Sequence, residues 1–182
     1  MRTFLPVALA TGTATFIARL FLGLSPAFAV PPLPSLSTSP ISIGTLLLFA
    51  LLGAITGLAA TAFIRGLHWS EDAFLKIKNQ YFRHMVGMFG VGVLSYILLL
   101  EVGHAHVEGV GYATIQDILL GGLSFAPLLV LLFGCKLLAT VMSLGSGSSG
   151  GIFSPALFMG ATLGGAFCAA MKPIDASPDI SV

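Results

Sequence analysis

The residues from Gly145 to Pro155, Gly-Ser-Gly-Ser-Ser-Gly-Gly-Ile-Phe-Ser-Pro, have the types and spacing to hold an anion without any charged side chain. In water, the seven small residues Gly145 to Gly151 read as a flexible linker. Here long apolar runs lie on both sides, and Pro155 suits the first turn of a helix, where its missing N–H costs little. A helix therefore begins near Phe153. Its first N–H groups lack intrahelical acceptors and carry the positive end of the dipole, and the bare backbone upstream lets an anion approach them. Non-helical backbone at membrane depth is tolerated where it is buried in protein or lines a polar cavity, as in the broken helices of transporters. On these residues alone, linker and anion site are both open readings.

Other residues suggest other chemistry, each with a plainer alternative. Gly147-Ser148-Ser149-Gly150 fits the G-x-S-G pattern of rhomboid-type intramembrane serine proteases, with Ser149 as nucleophile. That reaction needs a histidine base, yet no histidine follows His106, and His68, His84, His104 and His106 fall in loops or at helix ends. A serine without a base in reach has no activation. The same segment lacks the Gly-Lys-Ser/Thr of a Walker A phosphate loop. Glu101, His104, His106 and Glu108 are metal-ligating types, but a glycine-bearing polar loop is ordinarily just solvated, and no metal is expected. Lys136 interrupts an apolar run, and an intramembrane charge is a functional candidate by default. The plainer reading packs its methylene stem and gives its ammonium to backbone carbonyls or to the interface. No catalytic residue emerges, so neither an enzyme nor a cofactor is expected.

The elements that must position these residues are membrane helices. Of 182 residues, 56% are hydrophobic and 8% are charged, against about 25% charged in globular proteins, and the mean hydropathy is +1.00. So few charges cannot cover a water-facing surface. A net charge of +1 without a dense basic cluster excludes nucleic acid as a partner and leaves the lipid bilayer. Cys135 and Cys168 lie in apolar runs, which argues against a disulfide scaffold. A hydrocarbon core about 30 Å thick needs roughly 20 apolar residues per helix. Such windows run over 3–24, 43–69, 85–100, 123–144 and 152–171, with a shorter helix over 115–120 after the polar stretch 101–117. The predicted fold class is all-α, a polytopic membrane protein with a broken or re-entrant helix. The pairs Gly53/Gly57 and Gly160/Gly164 have the GxxxG spacing of close helix packing within a bundle.

Charge gives an orientation. Arg65, Lys76, Lys78 and Arg83 flank or occupy the second connection, whereas 23–42 and 101–117 contain no Lys or Arg. The positive-inside rule puts loop 65–84 in the cytoplasm and the other two outside. Pro31, Pro32, Pro34 and Pro40 make the first outer loop a stiff connector. Lys172, Pro173, Asp175, Pro178 and Asp179 end the last apolar run. Arg2, the apolar run and Ala27-Phe28-Ala29 mimic a secretory signal, but Arg19 within the run favours a spanning helix whose Arg19 snorkels or faces protein.

The stretch from Gly145 to Ala161, with its G-x-F-x-P core at Gly151, Ile152, Phe153, Ser154 and Pro155, closely resembles a signature of the CLC family of chloride channels and chloride/proton antiporters. Gly109-Val110-Gly111-Tyr112-Ala113-Thr114-Ile115-Gln116-Asp117 resembles the G-x-G-Y segment before that family's short helix L, and Lys136-Leu137-Leu138-Ala139-Thr140 its helix M. The five windows then resemble helices I, J, K, M and N. The resemblance implies an inverted-repeat fold in a multi-pass cell membrane protein, with 1–24 ending the first repeat and 43–172 opening the second. It implies chloride or a similar small anion as the transported ligand, a homodimer in the full-length protein, and backbone N–H groups of Ile152 and Phe153 at the central anion site, with Gly151 giving access.

The resemblance covers only part of the family's pattern. The family builds its anion path from three helix N-termini plus a serine and a tyrosine hydroxyl, and only one such N-terminus is present. Neither a G-S-G-I-P nor a G-x-E-G-P segment occurs, and the proton glutamate would precede Met1. The expectation is an interior fragment, a natural truncation or an incomplete gene model, that moves no chloride by itself. A non-transporting membrane scaffold is the alternative.

Overall fold

The computed structural model describes residues 4–24, 28, 30, 42–104 and 106–171. The Ala27 and Ala29 of the signal-like motif, the prolines at 31, 32, 34 and 40, and the charged end from Lys172 lie outside the described residues. Among the described residues six helices form: α1 (Phe4–Leu22), α2 (Ile43–Leu75), α3 (Gln80–Val102), α4 (Tyr112–Leu119), α5 (Ala126–Gly145) and α6 (Phe153–Met171). All but α4 are long and apolar enough to cross a membrane. At 8 residues, α4 is about 12 Å long and cannot span. The chain is an all-α, multi-pass membrane protein.

The helix ends correct the apolar windows. Polar residues at Ser70, Glu71 and Asp72 do not stop α2, which runs on to Leu75. Ser70 is buried and donates to Val141 O on α5 at 2.9 Å, so its polarity is satisfied inside the bundle. The chain turns only at 76–79, where the Asn79 side chain accepts from the N–H groups of Tyr81 and Phe82 and starts α3 five residues before the apolar window. Arg65 and Arg83 are therefore helical, and Lys76 and Lys78 alone occupy the connection. Trp69 and Tyr81, both exposed, flank this basic turn, the pairing found where helices leave the hydrocarbon for the headgroups.

Helix α5 is the axis of the bundle, packed on α6, α2 and α3, while α4 lies against α6. The core joins Leu98 of α3, Val107, Ile115 of α4, Leu132, Cys135 and Ala139 of α5, and Phe158 of α6. Large exposed side chains such as Phe4, Leu47 and Phe89 are no liability where the solvent is lipid, because hydrocarbon gains nothing by leaving hydrocarbon. Helix association there rests on close packing and on interhelical hydrogen bonds. The GxxxG pairs are not the packing points: a Cβ on Gly53, Gly57, Gly160 or Gly164 would meet no atom within 4 Å. Close approach is made instead by Gly87 against Ser146, Gly145 against Ser70, and Gly111 against Phe158.

Candidate anion site

The glycine/serine stretch is only in part a linker. Its first three residues finish α5 in a Schellman cap: Gly147, at φ 90°, donates to Leu144 O at 2.9 Å, and Ser148 N–H donates to Ser143 O at 3.2 Å. Ser146 is fully buried, and its carbonyl accepts from Arg83 Nε of α3 at 3.2 Å. A guanidinium thus meets a helix C-terminus, where a cation is favoured. Gly147 has a second reason to lack a side chain, since a Cβ there would lie 2.9 Å from Arg83 Nη2. Only 148–152 then remain to cross from α5 to α6.

Helix α6 opens at Phe153, as its sequence requires. Its first described intrahelical bond runs from Ala156 N–H to Ile152 O at 3.1 Å. Pro155 has no N–H, so the helix presents the donors of Phe153 and Ser154, with that of Ile152 just before them, at the positive end of its dipole. No acidic residue stands in this first turn. Gly151 is exposed, and together with Gly150 it borders a cleft of about 600 Å³ between α3, α5 and the 107–109 segment. Its lining includes the polar residues Ser95, Tyr96, Lys136, Thr140 and Ser143 and one carboxylate, Glu108. Ile152 lines an apolar crevice of about 390 Å³ between α2 and α6 instead. The Phe153 side chain is also exposed. In this turn the main chain, not the side chains, offers polar groups to an anion.

The two motif segments, far apart in sequence, meet here. Ser154 Oγ donates to Val110 O at 3.0 Å. Gly111, at φ 76°, caps α4 and lies so close to the Phe158 ring that a Cβ would stand 2.5 Å from Cδ2. Lys136, 4% exposed, donates from Nζ to Val107 O at 2.8 Å and to Gly109 O at 2.7 Å, with its ammonium 5.1 Å from the Phe158 ring centroid. The carbonyl reading of Lys136 is the one the structure adopts, with the aromatic face as an additional partner.

The alternatives do not assemble. His68 Nδ1 donates to Ile64 O at 2.8 Å, and His106 Nδ1 pairs with Thr114 Oγ1 at 3.1 Å; among the described residues no histidine is hydrogen-bonded to Ser149. His68 and His84 lie inside α2 and α3, beside the turn that joins them. His104 and His106 stack edge to face at 5.6 Å, but among the described residues no group of three or more His, Cys, Asp or Glu converges. Sequence reasoning missed Arg83 and Ser154, whose partners are 63 and 44 residues away.

Comparison with known proteins gives the family. The voltage gated chloride channel family profile matches residues 1–182. The H(+)/Cl(-) exchange transporter ClcA of Vibrio parahaemolyticus is 36% identical over 140 residues, which is 76% of this chain and 29% of that protein. ClcA of Vibrio vulnificus is 35% identical over 144 residues, 79% of this chain and 30% of the relative. ClcA of Yersinia pestis is 33% identical over 158 residues, 85% and 31% respectively. The chain thus spans just under a third of the length of the curated relatives it matches. No solved structure gives a significant match. A family match along the whole chain makes this chain a member of the voltage gated chloride channel family.

Proposed function

We propose that the chain is the α1 to α6 portion of a CLC protein that carries chloride, or a similar small anion, across a membrane. The observation that carries this reading is the start of α6: a helix N-terminus with no acidic residue in its first turn and with glycines at its mouth. Backbone N–H groups of Ile152 and Phe153 hold the anion, and Gly151 admits it. No bond is made or broken and no cofactor takes part. The relatives are named as proton/chloride exchangers, which favours coupled exchange over passive conduction. Homodimerisation in the full-length protein follows the family, and the lipid bilayer is the surrounding partner. The basic turn at 76–79 faces the cytoplasm.

The site is tested in a complete CLC subunit containing residues 1–182, by calorimetry in detergent with gel filtration as the check on folding. Phe153→Leu keeps the N–H and should bind chloride within about twofold of the parent, whereas Phe153→Pro removes it and restricts Ile152 as well. An ester in place of the Phe153 amide deletes the donor with little change of shape. A lost charge-assisted hydrogen bond is worth about 1.5–3 kcal/mol, or about tenfold or more in affinity. An ester that binds as tightly as the parent while Phe153→Leu does not would refute backbone binding. Sidedness is tested with Lys78→Cys in a background lacking Cys135 and Cys168. Lys78 is preferable to Asn79, which caps α3. An impermeant thiol reagent should label it only after the cells are opened.

A further inference from the structure

The buried ammonium of Lys136 is not neutralised. Its partners are two carbonyls and an aromatic face; Glu108, between those two carbonyl residues in sequence, borders the same cleft but is exposed, where water screens its charge, and among the described residues no carboxylate forms an ion pair with the ammonium. Carbonyl dipoles solvate a cation without cancelling its charge, so a full positive charge stays inside the bundle, where burying it is costly. A structural peg would not need that charge: a neutral donor could tie the same carbonyls, and an apolar chain could fill the same space. The location gives the charge a use. Gly109 O, which accepts from Lys136 Nζ at 2.7 Å, is one residue from Val110 O, which accepts from Ser154 Oγ in the first turn of α6 at 3.0 Å. Successive carbonyl oxygens are at most about 5 Å apart, so this path of contacts puts the ammonium within about 11 Å of Ser154 Oγ in the first turn of α6. Lys136 and Gly151 also border the same cleft.

We infer that Lys136 sets the affinity of the anion site, as a fixed positive charge that raises anion occupancy at the start of α6 through space, without touching the anion. The inference rests on the proposed site at Ile152 and Phe153. At an effective dielectric near 20 and a separation of about 10 Å, one charge changes the affinity for a monovalent anion by on the order of tenfold.

The experiment measures chloride and bromide binding by calorimetry, at fixed ionic strength, in a complete subunit containing residues 1–182. Lys136→Arg keeps the charge and should bind within about threefold of the parent. Lys136→Gln keeps a donor and loses the charge, and should bind about tenfold more weakly, with chloride and bromide affected alike, because a distant field does not distinguish ion size. Ser95→Asp leaves Lys136 in place but adds a carboxylate to the cleft, and should weaken both anions severalfold. A folded Lys136→Gln subunit with unchanged affinity, or an altered chloride/bromide ratio, would overturn the inference and make Lys136 a structural tie. If the Gln variant does not fold, unchanged affinity in Ser95→Asp has the same meaning. A parent subunit that binds neither anion fails the proposed site itself, before any variant is compared.

Discussion

Helix α1 and the α4 to α6 region have much the same apolar composition, yet they are built differently. α1 buries no residue, and its side-chain hydrogen bonds, Thr11 to Val7 O and Thr13 to Leu9 O, stay within the helix. In the second region polar side chains tie elements together: Lys136 reaches the 107–109 segment and Ser154 reaches Val110, while Ser70 of α2 and Arg83 of α3 reach in to Val141 and Ser146. Phe158, Leu129, Leu132, Thr162 and Ser146 are fully buried there. Apolar character puts both regions in the membrane. Polar ties and bare glycines decide which region becomes a defined site, because in lipid an apolar surface alone has no preferred partner.

The sharpest way to break this contrast is to add one methyl group to each region. Gly111→Ala forces a side chain into the left-handed conformation, at about 1–2 kcal/mol, and drives it into the buried Phe158 ring. The combined cost should be about 3 kcal/mol or more, seen as a large drop in thermal midpoint in detergent. Gly12→Ala in α1 meets nothing within 4 Å and should be neutral or stabilising by up to about 1 kcal/mol. Equal effects at the two positions would mean that the α4 to α6 packing does not exist as described.

A smaller effect compares two hydroxyls. Ser70→Ala removes a hydrogen bond between α2 and α5 and should cost about 0.6–2 kcal/mol. Thr13→Ala removes only a bond to its own helix and should change stability by less than about 0.5 kcal/mol. Both are read from the same thermal melts, and a larger loss at Thr13 would reverse the contrast.

This difference also explains what could be read from the sequence. The five spans follow from apolar length, and the start of α6 from Pro155 after a glycine run, since both signals are local. The end of α2 was not legible, because Ser70 looks like a stop until Val141 is beside it. The GxxxG pairs misled for the same reason: spacing marks a face, and only the neighbouring helix decides whether that face is used. Lys136 was visible as an anomaly, but its role depends on carbonyls 27 and 29 residues away. Arg83 looked like one more topological charge, while the structure ties it to the cap that aims the chain at α6.

The smallest expected effect lies in the aqueous rim of the interlocked region, at His106. This imidazole sits in the segment before α4, bonded to Thr114. Its pKa is lowered from the ordinary 6.5, first by burial, then by the neighbouring His104, with Asp117 acting in the opposite direction. A histidine whose folded pKa is lowered favours the neutral form, so its environment is fully stabilising above about pH 6.5. As pH falls below that value the unfolded chain takes up a proton that the folded chain refuses, and stability declines until the folded pKa is passed. The thermal midpoint of a complete subunit containing residues 1–182 should therefore fall modestly between pH 7.5 and about pH 5. His106→Gln should flatten the decline, His104→Ala should shrink it by removing the repulsion, and Asp117→Asn should deepen it by removing the compensating charge. A midpoint that rises on acidification in the parent and not in His106→Gln would show that Asp117 outweighs burial and that the rim is more solvated than its packing indicates.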